Sequence, residues 1–529
     1  MEVPVPSLPS RPNLDHLKRQ AKDLLRLYQS SDTSAFERFR TSLPIARHKS
    51  DRTIAEMQLR LHDAQSCVAR EYGYTSWDEL RTAVTVGRTD QPHLLHRWLM
   101  LAYGVAERND QPHPAVAARM LAEAPQSLRP HALVACATGD TRTMRALGLF
   151  DSGAVTRAVE WRCPDCKETV AYPPLSAVTH SSLVRLPAFA AAIRQTVREL
   201  IAAGADPDER WVVAGYTLSA LYGAAGKNHD VELTRILLDA GADPNDNESL
   251  YHSTEAPDSA CTTLLLDRGA RVEGSNALHH QLDRDGVERL QLLLSRCTDP
   301  NDAGSALGSP LLWAIRRRRS AAHVRALLDA GADPRARNPN GVSAYVQARR
   351  YGLEKVAALL EEHGAAESLS LADQFVAACA CADEVVARDI LGREPGLIQT
   401  LSPEQLRQLP NLAEAGNSDA VKLMVNLGWP IAVTGGDWKA SALNLAVFRG
   451  DAALTRFLLE HGASWAEKHG YGDHATGTLS WASRNLPPGN GDWVGCAKAL
   501  VDHGMPIPPK DEPFSDEVAE YLNERRNAS

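Results

Sequence analysis

One short phrase recurs along this chain and constrains its fold more than any other feature. The phrase is an apolar helix end followed by Gly-Ala-Asp-Pro, and complete copies occupy Leu200–Pro207, Leu237–Pro244 and Leu327–Pro334. Successive copies lie 28 to 37 residues apart between Gly204 and Gly364. A period in this range is the signature of an array of stacked structural repeats. Weaker copies are Leu265–Ala270, Leu293–Pro300, Leu359–Ala365, Val425–Gly428, Leu458–Ala463 and Leu500–Gly504.

A second phrase opens the units, as in Ser219–Ala225, Ser309–Ala314 and Ser441–Ala446. Its hydroxyl can accept a hydrogen bond from the first turn of a helix. The segment after it spaces apolar residues at i, i+3 and i+4, which predicts a second, amphipathic helix. The glycine of the closing phrase fits a left-handed C-cap, and the Asp-Pro after it ends the helix. Each unit is therefore predicted to be a helix pair followed by an extended loop.

The two phrases at this period resemble the ankyrin repeat, with its Thr-Pro-Leu-His-x-Ala opening and Gly-Ala-Asp loop. The resemblance covers roughly residues 95–508. It implies an all-α ankyrin-repeat solenoid, in which neighbouring helix pairs bury a continuous core. It also implies a bacterial, cytoplasmic protein that recognises protein partners. At His279 the family normally carries a histidine that bonds the neighbouring loop, so this side chain is expected to be structural.

A small helical domain is predicted before the array, over residues 11–86. Its helices are expected at Leu14–Tyr28, Ala35–Thr41, Ile54–Tyr72 and Ser76–Val84. The segment Asp63–Trp77 resembles a module that precedes ankyrin arrays in bacterial proteins. We interpret it as a capping or docking bundle, with a partner-binding module as the alternative. The other predicted segments are a disordered N-terminus at 1–10, degenerate repeats at 96–172 and 367–430, repeats at 173–366 and 431–508, and a C-terminal cap at 509–529.

The composition excludes several classes of protein. Hydrophobic residues make up 44% and charged residues 23% of the 529 positions, which is typical of a folded chain. No apolar run approaches the ~18–20 residues that span a bilayer, and no Sec-type signal is expected. Nine scattered cysteines favour reduced thiols and a cytoplasmic location over a disulfide scaffold. The net charge of −9 argues against nucleic acid as a partner.

The motif that looks most like a chemical site is Cys163-Pro-Asp-Cys166. Two thiolates at this spacing match half of a structural zinc site, which needs four ligands. The chain has no second Cys-x-x-Cys, and no βαβ pattern surrounds this one to favour a redox dithiol. We therefore expect no cofactor and interpret the segment as a hairpin insertion, with zinc at Cys163 and Cys166 as the alternative.

The concave face of the predicted array is the candidate binding surface. Arg316–Arg319, beside Arg349 and Arg350, forms a basic patch on an acidic chain, and arginine suits carboxylate or phosphate recognition. The alternative interpretation is a set of solvated helix ends. The candidate partner-binding residues are Lys227, Glu255, Arg284, Arg316, Arg317, Arg350, Tyr351, Phe448, Arg449 and Arg484.

These patterns predict a non-enzymatic scaffold that binds a protein partner through the concave face and hairpin tips. The predicted partner has an acidic surface. We expect a monomer that inserts into no membrane. No Gly-x-Ser-x-Gly, His-Glu-x-x-His or phosphate-binding loop is present. Two alternatives stay open: a metal-binding or small enzymatic protein that uses the Cys163 and Cys166 insertion, and a translocated bacterial effector that acts on host proteins.

Overall fold

The computed structural model describes residues 13–86, 93–104, 112–162, 169–213, 216–302, 308–485, 491–510 and 512–528. Two compact units divide the chain, Met1–Ala277 and Leu278–Ser529. Within the described residues, both consist mainly of short helices, and the strands form antiparallel two-stranded hairpins. The segment 1–10, predicted to be disordered, lies outside the described residues.

The first unit begins with a bundle of five α-helices. Asn13 caps the first of them by accepting from the backbone N–H of Asp15 at 2.8 Å. The first helix packs on the second and fourth, and the fourth packs on the fifth. The elements are α1 (Leu14–Gln29), α2 (Thr33–Ser42), a 3-10 helix (Pro44–Ala46), α3 (Asp51–Glu56), α4 (Leu61–Glu71) and α5 (Trp77–Val86).

The single helix predicted over Ile54–Tyr72 is wrong, because the chain breaks between α3 and α4. Gln58 adopts a positive φ of 51° at the break. The hydroxyl of Tyr28 donates to the Ile54 carbonyl at 2.9 Å and accepts from the Leu59 N–H at 3.3 Å. The buried Tyr28 thus satisfies backbone groups that the interrupted helix leaves open, and no local periodicity reveals this tertiary contact.

The rest of the first unit consists of helix pairs and two hairpins. Its second helices pack on their first helices and on the next pair, as α12 does on α11 and α13. The elements are α6 (Leu94–Tyr103), α7 (Pro114–Glu123), α8 (Pro125–Leu128), α9 (Ala132–Thr138), α10 (Thr141–Ala146), β1 (Val159–Arg162), β2 (Thr169–Tyr172), α11 (Pro174–Thr179), a 3-10 helix (Ser182–Arg185), α12 (Pro187–Ala202), β3 (Arg210–Val213), β4 (Tyr216–Ser219), a π-helix (Tyr222–Lys227), α13 (Val231–Asp239), α14 (Ser249–Ser253) and α15 (Ala260–Asp267).

The second unit repeats the helix pair with greater regularity. First helices stack on first helices, as α18, α20 and α22 do, and second helices stack as α19 does on α21. The elements are α16 (Ala277–Leu282), α17 (Val287–Leu294), α18 (Pro310–Arg316), α19 (Ala321–Asp329), α20 (Ala344–Arg350), α21 (Glu354–Glu362), α22 (Leu371–Ala380), α23 (Glu384–Arg393), α24 (Leu397–Thr400), α25 (Pro403–Leu406), α26 (Gln408–Glu414), α27 (Ser418–Asn426), β5 (Thr434–Gly435), β6 (Ala440–Ser441), α28 (Ala442–Arg449), α29 (Ala452–Glu460), α30 (Ala475–Asn485), α31 (Trp493–Asp502) and α32 (Asp516–Ala528).

The closing phrase ends the second helices as predicted. After α19, Gly331 adopts a φ of 96°, its N–H donates to the Leu328 carbonyl, and the Ala332 N–H donates to the Leu327 carbonyl. This pair of bonds is a Schellman motif, which uses the last open carbonyls of a helix. His279 also behaves as the resemblance implies, because its Nε2 lies 2.8 Å from the Gly308 carbonyl oxygen in the next loop. The described elements confirm the predicted all-α ankyrin fold.

Two glycine substitutions test the cap directly. Gly331→Ala should lower the free energy of unfolding by about 1–2 kcal/mol, because a Cβ is unfavourable at this positive φ. Gly392→Ala should raise it by about 0.5 kcal/mol, because Gly392 lies in α23 with open space around the added methyl group. Urea denaturation of both variants measures the difference, and equal stability of the two would contradict the assigned cap.

Candidate functional site

A groove of about 1080 Å³ opens in the second unit. It lies between the end of α18, the loop around Asn338–Asn340, helices α25 and α26, and the tip of the β5–β6 hairpin. Six cationic side chains but only three carboxylates occur among its lining residues. We call this cavity the basic groove; its charged lining residues are Arg316, Arg317, Arg318, Arg319, Arg407, Lys439, Glu404, Glu414 and Asp437.

The hairpin tip is fixed against α26. The Gly436 N–H donates to Asn411 Oδ1 at 3.2 Å. A Cβ at Gly435 would lie 2.8 Å from Pro410 Cγ, so this position has no room for a side chain. These contacts place Asp437 at the mouth of the basic groove, although its sequence neighbours give no sign of a partner there.

Asp437 pairs with two arginines that lie about 120 positions earlier in the chain. Arg316 is the last residue of α18, and Arg317 follows it. Arg317 Nη1 donates to Asp437 Oδ2 at 2.7 Å, and Arg316 Nη2 donates to Asp437 Oδ1. We call these three residues the Asp437 clasp. Burial tends to raise the pKa of Asp437, but Arg317 and Arg316 outweigh it and hold the pKa below its usual value. The clasp carboxylate is therefore ionised at neutral pH.

Trp313 and Asp283 orient the arginines of the clasp. The guanidinium carbons of Arg316 and Arg317 lie 5.0 and 4.4 Å from the centroid of the Trp313 ring. Trp313 is 4% exposed, and its Nε1 donates to Asp283 Oδ1 at 3.1 Å. Arg317 Nε donates to the same oxygen at 2.6 Å. The buried Trp313 ring thus holds both guanidinium groups, and Asp283 holds that of Arg317 as a second carboxylate.

Arg318 is held in the groove by its backbone and by Tyr351. Its backbone has a positive φ of 54°, which turns the chain after α18. Its Nη1 donates to the Tyr351 carbonyl at 2.8 Å, and its guanidinium carbon lies 4.8 Å from the Tyr351 ring centroid. Its Nη2 is buried without a hydrogen-bond partner. Burial, and then the charge of Asp437, raises the pKa of the neighbouring Glu414. Arg318 therefore carries an unused hydrogen-bond donor. A raised pKa makes Glu414 a weaker counter-charge for the arginines around it.

Arg350 is buried, whereas the sequence predicted it on the exposed concave face. Its residue is 8% exposed, and Nε donates to Asp373 Oδ1 at 2.6 Å. Its Nη1 lies 3.4 Å from Glu404 Oε1. Asp373 also accepts from Gln405 Nε2 at 2.8 Å and from Ser370 Oγ at 2.7 Å. Arg350 thus links first helices beneath the groove, where it contributes to packing.

Three other predicted residues of the second unit lie in or around the groove, and two do not. Tyr351 lines it, whereas Phe448 packs between Trp438 and Trp481 with ring centroids 5.4 and 5.6 Å away. Arg449 Nη1, at the end of α28, donates to the Glu414 carbonyl at 3.0 Å, so it supports the groove from the neighbouring repeat. Two residues lie elsewhere: Arg284 is exposed just beyond α16, and the exposed Arg484 donates to its own helix at Ser480.

Two predicted residues belong to the first unit. Glu255 accepts from His252 Nδ1 at 3.2 Å, and Glu248 lies 3.3 Å from the other ring nitrogen. Burial lowers the pKa of His252, but the glutamates outweigh it and raise the pKa to about 9. Lys227 points inward and donates to the Tyr103 carbonyl, so its ammonium is not presented on the concave face.

The predicted metal ligands receive no structural description, because Cys163 and Cys166 lie outside the described residues. Within the described ranges, no group of three or more His, Cys, Asp or Glu residues could hold a metal ion. The same part of the chain contains no helix both long and apolar enough to cross a bilayer.

The basic groove combines residues that the sequence identified with others that it did not. Arg316, Arg317 and Tyr351 were predicted, and Arg318 belongs to the same predicted basic patch. Arg407, Lys439, Glu414 and Asp437 were missed as site residues. The Gly-Gly-Asp turn before Trp438 marks a hairpin, but neither its charge nor its spacing indicates that it faces α18.

Comparisons with known proteins identify neither a family nor a partner for this chain. No protein-family model matches the chain, and no curated protein matches it significantly. It is similar to the human ASB11 ankyrin repeat domain, at 20% identity over 44% of this chain and 99% of that chain, with a TM-score of 0.22. It is also similar to the ankyrin repeat domain of Bcl-3, a member of the IkappaB protein family, at 18% identity over 46% of this chain and 97% of that chain, with a TM-score of 0.22. The fold assignment rests on the helix pairs and capped loops of this chain.

Proposed function

We propose that this protein is a binding scaffold whose basic groove accepts an acidic segment of a protein partner. The observation that carries the proposal is the excess of cations in the groove, with the Arg318 Nη2 donor buried and unpaired. A carboxylate-bearing segment supplies the missing charge and the missing acceptor.

Two of the three carboxylates of the groove, Glu404 and Asp437, are already engaged, which leaves an excess of cations for a partner. Glu404 accepts from Asn338 Nδ2 at 3.3 Å and from Asn340 Nδ2 at 3.2 Å. Asp437 is held in the clasp. By contrast, Arg407 and Lys439 are exposed, and neither side chain has a hydrogen bond or ion pair to another described residue.

The mechanism is rigid-surface recognition. The cations stand on packed helices and on a hairpin tip that is fixed to α26, so few side chains must be ordered when a partner docks. Recognition through charged side chains raises the association rate and makes affinity fall with added salt. We propose no catalytic role for the groove. Bacterial origin, cytoplasmic location, a monomeric state, zinc at Cys163 and Cys166, and translocation to a host all stay predictions.

Titration with labelled oligoglutamate and oligolysine peptides tests the proposal. The Asp437→Asn variant tests whether the clasp limits the affinity for the acidic peptide. We expect the wild-type chain to bind oligoglutamate and not oligolysine. The substituted amide keeps the size of the clasp side chain but releases Arg316 and Arg317 for the peptide, so affinity should rise roughly threefold or more. Fluorescence anisotropy measures both affinities.

The matched control for the clasp is Asp389→Asn. Asp389 is an exposed carboxylate on α23 that pairs with Arg393 at 2.6 Å, outside the lining of the groove. It changes the net charge by the same amount, so its effect on peptide affinity should be small. Absence of oligoglutamate binding would overturn the proposed function. Equal effects of the two variants on peptide affinity would show that the clasp has no part in peptide binding.

A further inference from the structure

The first unit contains an unusual lysine that the basic groove does not involve. Lys227 ends the π-helix Tyr222–Lys227, an element that occurs frequently at functional sites. Its Nζ donates to the Tyr103 carbonyl, and Arg185 Nη2 donates to the carbonyl of Lys227 itself at 2.6 Å. Among the described residues, no carboxylate forms an ion pair with Lys227. The guanidinium of Arg185 is thus held at the backbone of Lys227, and the Lys227 amine has no counter-ion among the described residues.

An aromatic cluster lies next to Tyr103, the residue whose carbonyl accepts from the Lys227 amine. The His180 ring lies 4.7 Å from Trp211, 5.7 Å from Tyr172 and 5.7 Å from Tyr222, measured between ring centroids. Tyr172 also stacks on Tyr103 at 4.9 Å. Gly223 of the π-helix packs so closely on His180 that an added Cβ would lie 2.4 Å from Nδ1. The π-helix is therefore packed directly against the His180 ring.

Two polar atoms in this cluster are buried without a partner. His180 is 1% exposed, and its Nδ1 lies 3.1 Å from the Ser176 carbonyl oxygen, so Nδ1 carries the proton and Nε2 is a bare acceptor. Its Nε2 has no hydrogen-bond partner, and neither has the buried Trp211 Nε1–H donor. An unused acceptor beside an unused donor is costly in an apolar cluster unless a ligand engages both.

The electrostatics favour a neutral amine. Burial, followed by the nearby charge of Arg185, lowers the pKa of Lys227 to about 7. Burial, followed by the charge of Lys227, lowers the pKa of His180 well below its usual value. Desolvation beside another cation is a known way to turn lysine into a nucleophile at neutral pH.

We propose that Lys227, His180 and Trp211 form a site for a small apolar or aromatic aldehyde or ketone, which forms an imine with the Lys227 amine. The rings supply the apolar walls, the Trp211 N–H is a donor for the carbonyl oxygen, and His180 Nε2 is an acceptor for the hydroxyl of the intermediate. The site is independent of the basic groove and of its partner.

The reaction balances without an oxidant or a cofactor. The Nζ lone pair forms a bond to the carbonyl carbon, and the carbon–oxygen π electrons pass to the oxygen. One N–H proton moves to that oxygen and gives a carbinolamine. The second N–H proton and the hydroxyl then leave as water, and a carbon–nitrogen double bond remains.

Reductive trapping on the full-length protein tests this proposal. The chain is incubated with benzaldehyde and cyanoborohydride at several pH values, and peptide mass mapping gives the labelling rate of each lysine. Lys355 and Lys468 are exposed and serve as internal controls. At pH 7 an ordinary lysine is about 0.04% neutral. Even with the lower nucleophilicity of a weaker base, Lys227 should react at least about tenfold faster than the controls.

The excess labelling of Lys227 should shrink as the pH rises toward 10, because the control amines also become neutral. Trp211→Phe keeps an aromatic ring but removes the unpaired donor, and it should slow labelling of Lys227 severalfold without changing the rates at Lys355 and Lys468. Labelling of Lys227 no faster than the controls at pH 7 would overturn the proposal. An unchanged rate at Lys227 in Trp211→Phe would overturn the assignment of Trp211 to the site.

Discussion

Replacing Arg350 by alanine is expected to lower the free energy of unfolding of the second unit by about 3 kcal/mol. Arg350 is buried and donates to Asp373 at 2.6 Å, and Asp373 is itself only 8% exposed. Removal of the guanidinium leaves a carboxylate inside the array with only two uncharged side-chain donors, Ser370 and Gln405. An uncompensated buried charge is among the few causes of so large a loss.

Arg349→Ala is the matched control, because it removes the same side chain one residue earlier. Arg349 is half-exposed and pairs with Glu354 at 3.1 Å on the surface, so its loss should cost less than about 1 kcal/mol. Urea denaturation of the full chain measures both variants, and amide hydrogen exchange in α20 and α22 locates the effect. Similar losses in the two variants would contradict a structural role for Arg350.

The effect of Arg350→Ala should also depend on pH. Burial tends to raise the pKa of Asp373, but hydrogen bonds from Arg350, Ser370 and Gln405 outweigh it and lower the pKa below its usual value. A carboxyl group whose pKa is lowered on folding contributes stability above its unfolded pKa, and this contribution is lost as the pH falls through the folded pKa. The stability difference between wild type and Arg350→Ala should therefore be full at pH 7 and narrow below about pH 4.

The repeated fold could be predicted because its causes are local. A glycine that ends a helix and a hydroxyl that starts one act within a few residues, and the period of the closing phrase indicates stacking. His279 followed from the resemblance, since it bonds the next loop as ankyrin repeats do. The break between α3 and α4 could not be predicted in this way. Its cause is a hydrogen bond from Tyr28 to the Ile54 carbonyl, and Tyr28 is distant in sequence.

The site could be predicted only in part, because side-chain direction depends on neighbours that the sequence does not name. Arg316 and Arg350 both follow the small residues of a first helix, yet one is exposed in the groove and the other is buried against Asp373. Lys227 occupies the equivalent position and turns inward to Tyr103. Asp437 meets Arg317 only because the intervening helix pairs bring them together.

The central claim predicts a large effect of charge reversal in the basic groove. Arg407→Glu combined with Lys439→Glu replaces two exposed cations with carboxylates that repel an acidic segment. Neither side chain forms a hydrogen bond or ion pair with the described residues, so the fold should tolerate both changes. At low salt, affinity for oligoglutamate should fall roughly a hundredfold, and the loss should shrink as salt screens the charges.

Arg388→Glu combined with Arg393→Glu is the control for net charge. Both arginines are exposed on α23, where they pair with Glu384 and Asp389, and neither lines the groove. This variant lowers the net charge by four, as the groove variant does, and thermal melts of both confirm that each is folded.

The most direct measurement is the ratio of the oligoglutamate dissociation constants of these two double variants at low salt. A groove that binds acidic segments predicts a ratio of roughly thirty or more, with the control close to wild type. A ratio near one, with both variants folded, would contradict the account, because peptide binding would then depend on net charge and not on the groove.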